Sequence, residues 1–201
     1  MKMTRKFKAS AANMTQNGRF NISARTTMTF TVNSGTSNTW GYVNVANTVL
    51  ASDMHKQLSS VFDQYRIDKV SIKFRPAINT ANPVSNSVPY ITFFTCVDRT
   101  GFNTANMTLA ILRTYGSYRE SSFSTTGDLS KPHYLTIGQS GLIGKSTYYD
   151  TKAASVFPNV CCGIDLGSNA TSNFGMVFAI EIDAQVRYRG VRYDPTQVRT
   201  V

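Results

Sequence analysis

A strict alternation of apolar and polar side chains over residues 178–188 constrains the fold of this chain more than any other feature. Every second position there is apolar or small, and charged or amide side chains fill most of the positions between. A β-strand directs successive side chains to opposite faces, so a period of two predicts a long strand with one buried face. Because residues 28–32 and 70–76 repeat the pattern, the sequence predicts sheets that are apolar on one side.

The remaining segments favour an all-β fold. Further strands are predicted at residues 40–45, 90–97, 117–124, 133–137 and 160–166. The segment 90–97 is apolar on both faces, which indicates a strand that is covered on each side. Helical spacing predicts two short helices, one after a capping Ser52 and one over residues 104–115. We therefore expect a single eight-stranded antiparallel jelly-roll sandwich with short helices in its loops.

The chain divides into a basic arm and one domain. Residues 1–17 carry four basic side chains among small polar ones without periodicity, so we expect them to be disordered or inward-facing. Residues 18–201 are expected to form the jelly-roll domain, and the chain length of 201 residues suits one domain. The net charge of +10 with only 16% charged residues indicates a polyanionic partner, with nucleic acid the first candidate.

Nine basic residues are candidates for contacts with nucleic-acid phosphates. They are Lys2, Arg5, Lys6, Lys8, Arg19, Arg25, Lys73, Arg75 and Arg187. Lys73 and Arg75 lie on the polar face of one predicted strand, and Arg187 lies on that of another. The alternative for these strand residues is a solvated face or salt bridges between subunits.

The sequence does not indicate an enzyme or a cofactor. Residues 138–147 contain Gly-Lys-Ser, but Gln139 occupies the position where a phosphate-binding loop needs glycine. His55 and His133 have no second His or Cys at metal-ligand spacing and are expected to lie at the surface or an interface. The three cysteines, of which Cys162 falls in an apolar row, are expected to be core residues rather than a disulfide framework.

Several segments resemble the capsid proteins of circular single-stranded DNA viruses of the circovirus and cyclovirus type. The residues that carry the resemblance are FDQYRIDKVSIKFRP at 62–76, VDRT at 97–100, YGSYRE at 115–120, KPHY at 131–134 and the strand 180–189. The resemblance implies a coat protein that self-assembles into a small icosahedral shell, T=1 with sixty copies, around single-stranded nucleic acid. It implies a location in the virion, with assembly in the host nucleus.

The resemblance favours DNA over RNA as cargo, and it identifies no host attachment factor. Circovirus-like capsid proteins begin with a long arginine-rich arm, whereas this chain has four basic residues before residue 10. Small RNA plant viruses, which share the jelly roll and a basic arm, therefore stay open as relatives. No membrane partner is expected, since no apolar run approaches the length of a membrane span. The alternative function is a soluble β-sandwich binding module for a carbohydrate or receptor ligand.

Overall fold

The structure is a computed structural model that describes residues 18–77, 90–99, 107–124, 131–138, 148–153 and 157–191. Within these residues the strands are β1 (Gly18–Val32), β2 (Asn38–Val43), β3 (Phe62–Ala77), β4 (Tyr90–Asp98), β5 (Arg119–Ser124), β6 (His133–Ile137), β7 (Tyr149–Asp150), β8 (Asn159–Asp165) and β9 (Phe174–Val191). The helices are α1 (Val45–Leu50), α2 (Asp53–Val61) and α3 (Leu109–Arg113).

Two antiparallel sheets form a sandwich. Sheet 1 has the order β1–β9–β3–β6, with the two-residue strand β7 paired to one end of β3. Sheet 2 has the order β2–β8–β4–β5. Without β7, each sheet has four strands, and each combines strands from both halves of the chain. This is the arrangement of a jelly roll. The predicted all-β, eight-stranded jelly-roll sandwich is confirmed.

Aromatic rings fill the space between the two sheets. Phe93 of β4 stacks on Phe178 of β9 with ring centroids 4.3 Å apart. Phe74 of β3 contacts the same Phe93 ring at 5.1 Å, and Phe30 of β1 contacts Phe178 at 5.7 Å. All four side chains are buried, so this cluster joins the two sheets through the apolar faces that the alternation predicts.

The outer face of sheet 2 carries a second apolar cluster. Phe94 and Cys96 of β4 point away from the sandwich core and pack with Leu109 and Leu112 of α3. Leu112 is buried, as are both β4 side chains. This arrangement confirms that the segment 90–97 is covered on each side, with sheet 1 on one face and helix α3 on the other.

The helices differ from the sequence expectation in their bounds. Ser52 caps α2 as predicted, and its Oγ accepts a hydrogen bond from the backbone N–H of His55. Helix α1 was not predicted, because residues 40–45 were expected to continue as a strand. Instead the Asn44 side chain accepts from the N–H of Asn47 and starts a helix at Val45. Helix α3 begins only after Thr108, which caps it.

Strand β3 is longer than predicted. It begins at Phe62, directly after α2, whereas the alternation is regular only from Val70 onward. The irregularity has a structural cause, since the pairing of β3 with β9 shifts register between Ile67 and Lys69. A β-bulge of this kind inserts one unpaired residue, here Asp68, and interrupts the period of two.

The expectation that the histidines lie at the surface or an interface is wrong. Both are buried within the subunit, each 3% exposed. The Nδ1 atom of His55 lies 2.6 Å from the hydroxyl of Tyr188. His133 bonds Thr95 through Nε2 and Ser121 through Nδ1, both at 2.8 Å. Hydroxyl partners on neighbouring elements allow these rings to be buried, which spacing along the chain cannot reveal.

We expect the three thiols to be unreactive in the folded subunit. Cys96, Cys161 and Cys162 are free and fully buried. Burial raises the pKa of all three, that of Cys161 to about 12, so the reactive thiolate is scarce at neutral pH. Treatment with iodoacetamide followed by mass spectrometry should show no adduct before denaturation and three afterwards. An adduct on the native protein would contradict the placement of these residues.

Candidate nucleic-acid interface

The outer face of sheet 1 is a polar surface formed by β1, β9 and β3. The strict alternation of these strands sends apolar side chains such as Ile22, Ile72 and Ile182 into the core. Their neighbours in sequence therefore point outward, and the register places them side by side across three strands. We call this surface the basic face.

Cross-strand rows bring charged side chains together on the basic face. At one end Arg19, Arg187 and Arg66 are direct neighbours on β1, β9 and β3. Farther along, Arg25, Glu181 and Lys73 form an equivalent row. The next row contains Thr27, Ala179 and Arg75.

All five predicted binding residues that the structure describes lie on this one face. They are Arg19, Arg25, Lys73, Arg75 and Arg187. Their positions in the chain are far apart, and only the pairing of β9 with both β1 and β3 unites them. The four predicted arm residues, Lys2, Arg5, Lys6 and Lys8, lie outside the described residues.

Sequence reasoning missed two members of the basic face, Arg66 and Lys69. Both lie in the early part of β3, before the register becomes regular at Val70. A strand beginning at residue 62 would have placed Arg66 on the polar side by simple alternation with Tyr65 and Ile67. Arg189 of β9 lies two residues beyond Arg187 on the same polar side and is not among the nine candidates.

Two acidic residues neutralise part of the positive charge on the basic face. Asp68 contacts Arg66, Arg187 and Arg19 at 2.8, 3.0 and 3.6 Å. Glu181 lies 3.6 Å from Lys73 and 3.9 Å from Arg25. Four of the predicted residues, Arg19, Arg25, Lys73 and Arg187, thus form ion pairs within the subunit. Among the described residues, none forms an ion pair with Arg75 or Lys69.

The basic face carries a positive excess even after these ion pairs. From the row of Arg19 to the row of Thr27, both included, the face has seven basic and three acidic residues. The basic residues are Arg19, Arg25, Arg66, Lys69, Lys73, Arg75 and Arg187, and the acidic residues are Asp68, Glu181 and Asp183. The excess of four charges lies on the outer face of the sheet, where Arg19, Arg25 and Arg75 are exposed and favour the approach of a polyanion. A face of this kind attracts phosphate groups without reading a base sequence.

Two tyrosines border the basic face. Tyr134 on the neighbouring strand β6 is 64% exposed, and the Lys73 ammonium lies 5.8 Å from its ring centroid. The ring of Tyr148 lies beneath the guanidinium of Arg189 at 3.8 Å. An exposed aromatic ring beside cationic side chains is the combination on which unpaired bases stack.

The described residues contain no arrangement typical of a metal enzyme. No group of three His, Cys, Asp or Glu side chains within them could hold a metal ion. Of the Gly-Lys-Ser segment 138–147, all but Gly138 lies outside the described residues. Among the helices of the described ranges, none combines the length and apolarity that crossing a bilayer requires.

Comparisons of sequence identify no relative, because no protein-family model matches the chain and no curated protein matches it. Comparisons of structure do find neighbours. The chain is similar to a capsid protein in the virus-like particle of the prawn nodavirus from Macrobrachium rosenbergii, with a TM-score of 0.57 and 13% identity. The match covers 92% of this chain and 100% of that one.

Two further neighbours come from closed or T=1 particles. The 60-mer of BFDV capsid protein matches with a TM-score of 0.53 and 12% identity over 89% of this chain and 97% of that one. A deletion mutant of Penaeus vannamei nodavirus capsid protein, in a T=1 subviral particle, matches with a TM-score of 0.52 and 10% identity over 88% and 100%. At such low identity these likenesses concern the fold alone: the chain has the jelly-roll fold found in viral capsid proteins.

Proposed function

We propose that this protein is the structural subunit of a small viral shell. In this proposal the subunit self-assembles into a closed particle, T=1 with sixty copies, and its role is structural rather than enzymatic. The observation that carries the proposal is a capsid-type jelly roll whose sheet 1 presents the basic face. Structural neighbours that form a 60-mer and a T=1 particle at nearly full coverage support the closed shell.

The basic face is proposed to face the interior of the shell and to contact packaged single-stranded nucleic acid. Residue 17 is joined to Gly18 at the start of β1, so the basic segment with Arg5 and Lys6 is attached at the Arg19 end of this face. We propose that this segment and the basic face contact the same packaged nucleic acid. Lys and Arg neutralise phosphates and release condensed counterions, which favours packaging of any sequence.

Charge also gives the packaged polyanion a role in assembly. Each subunit carries a net charge of +10, so copies repel one another when they are brought together without an anion. Nucleic acid in the interior removes this repulsion. We propose DNA as the cargo, in line with the circovirus-like segments at residues 62–76 and 97–100, and assembly in the nucleus followed by residence in the virion.

Negative-stain electron microscopy of the purified protein tests the shell. The protein should form uniform closed particles when a single-stranded DNA oligonucleotide is added at low salt. The same protein with the oligonucleotide omitted is the control, and fewer or less regular particles are expected there. Isolated subunits or small oligomers at every salt concentration and pH would contradict the proposal and favour the β-sandwich binding module.

Nuclease treatment of particles purified from expressing cells tests the cargo. Nucleic acid inside a closed shell should resist nuclease until the shell is opened by denaturant. The released material should then be degraded by a deoxyribonuclease and not by a ribonuclease. The reverse sensitivity would contradict the DNA assignment while leaving the shell function intact.

A further inference from the structure

Three arginines in one cross-strand row lie at the end of the basic face. Arg19, Arg187 and Arg66 are direct neighbours on three adjacent strands, and we call them the arginine row. Like charges directly opposite one another in a sheet destabilise it. A row of three guanidinium groups therefore needs nearby negative charge, and among the described residues the carboxylate of Asp68 contacts all three.

That carboxylate belongs to Asp68, the residue at the β-bulge in β3. Its Oδ1 accepts from the Nε of Arg66 at 2.8 Å, and its Oδ2 accepts from the Nε of Arg187 at 3.2 Å. The bulge lets Asp68 turn outward while Lys69, the next residue, keeps its own outward position. The Asp68 side chain is only 9% exposed, so it lies below the arginines rather than competing with an incoming ligand.

The arginine row keeps binding capacity on its solvent side. One carboxylate neutralises one of the three guanidinium charges, which leaves an excess of two positive charges. The Arg19 side chain is 59% exposed and that of Arg187 is 32% exposed. A guanidinium group has five N–H donors in a planar fork that matches the oxygens of a phosphate group.

Neighbouring side chains hold the Arg66 end of the row in place. The guanidinium carbon of Arg66 lies 4.9 Å from the ring centroid of Tyr148, and that of Arg189 lies 3.8 Å from it. Arg189 also donates from Nε to the Oε1 of Gln64 at 2.7 Å. Side chains that are already held in place lose little conformational entropy when a ligand binds. Arg66 and Arg187, which also donate to Asp68, are therefore positioned before any anion arrives.

We propose that the arginine row is a phosphate-binding site for a backbone phosphodiester of single-stranded nucleic acid. Asp68 aligns the guanidinium groups, and the phosphate supplies the negative charge that the row lacks. This site deepens the proposed packaging function and rests on it. The row would be a fixed contact point, whereas isolated cations such as Arg75 contribute only to the general positive potential.

Binding of a fluorescent oligothymidylate to unassembled subunits, followed by anisotropy, tests the site. Arg19→Gln should weaken binding about tenfold, because it removes a charge-assisted hydrogen bond to phosphate. The matched control is Arg75→Gln, which removes one charge from the same face at a position without a recorded ion pair, and it should weaken binding about threefold. Equal losses in the two variants would overturn the site.

A second measurement separates phosphate binding from a purely structural ion-pair network. In Asp68→Asn the row has no internal counter-charge, so inorganic tripolyphosphate should raise the melting temperature of this variant more than that of the wild type. Glu181→Gln, which also removes an ion-paired carboxylate from the basic face, is the control and should respond like the wild type. An equal response in all three proteins would contradict the proposal.

The outcomes of this test and of the shell test can be told apart. Closed particles together with equal binding by the Arg19→Gln and Arg75→Gln variants would leave the shell function standing without the site. Arg19 is largely exposed, so its substitution is not expected to prevent folding even if Asp68→Asn does. The oligothymidylate measurement therefore decides the proposal in either case.

Discussion

Replacing Phe93 with alanine is expected to lower the free energy of unfolding by about 3–5 kcal/mol. Phe93 is fully buried between the two sheets, where it stacks on Phe178 with centroids 4.3 Å apart and contacts Phe74 at 5.1 Å. Truncation leaves a cavity that close-packed neighbours on both sheets cannot fill. Urea denaturation of unassembled subunits, followed by fluorescence or circular dichroism, measures the loss.

The matched control for this prediction is Tyr134→Ala. Tyr134 is also an aromatic residue of the sandwich, but it is 64% exposed on strand β6. Its removal should change the free energy of unfolding by about 0.5 kcal/mol or less. A loss below about 1 kcal/mol for Phe93→Ala would show that this aromatic cluster does not join the sheets.

Acidification is expected to destabilise the folded subunit through His133. The ring lies between the sheets, with Thr95 of β4 and Ser121 of β5 each 2.8 Å from one ring nitrogen. Burial lowers the pKa of His133 from 6.5 to about 4, because the charged imidazolium loses its hydration there. The folded subunit therefore keeps this ring neutral at pH values where the unfolded chain already binds a proton.

The sign of the effect follows from proton linkage. Above pH 6.5 both states are neutral at His133, and its contribution to stability is fully present. As the pH falls from 6.5 towards 4, only the unfolded chain takes up the proton, so the stability decreases. The total loss is about 3 kcal/mol, since one pKa unit corresponds to about 1.4 kcal/mol. Below that range His133 adds no further loss.

Two measurements check the role of His133. Urea denaturation of unassembled subunits across this pH range should show the loss, and His133→Gln should reduce it, because glutamine forms hydrogen bonds without titrating. His55 contributes in the same direction, since burial also lowers its pKa, so some pH dependence should persist in the variant. NMR titration of the His133 ring in the wild type is the direct check. A pKa near 6.5 would contradict the prediction.

Much of the candidate site could be predicted from the sequence because a strand has a fixed period. Lys73 and Arg75 alternate with Ile72 and Phe74, so their outward placement follows from the chain alone. The same reasoning places Arg187 between the buried residues Val186 and Tyr188. Alternation could not predict the outward position of Asp68, because the β-bulge at this residue interrupts the period of two.

The sequence by itself determined most of the strands, the polar side of their regularly alternating parts and the positive excess of the chain. These properties are local, since they depend on the alternation of neighbouring side chains and on composition. Only the tertiary structure decided that β9 lies between β1 and β3, which brings Arg19, Arg187 and Arg66 around one carboxylate. It also decided that His55 and His133 are buried, because their hydrogen-bond partners come from distant parts of the chain. Pairing between distant strands is set by the packing of the whole core, and no local pattern contains that information.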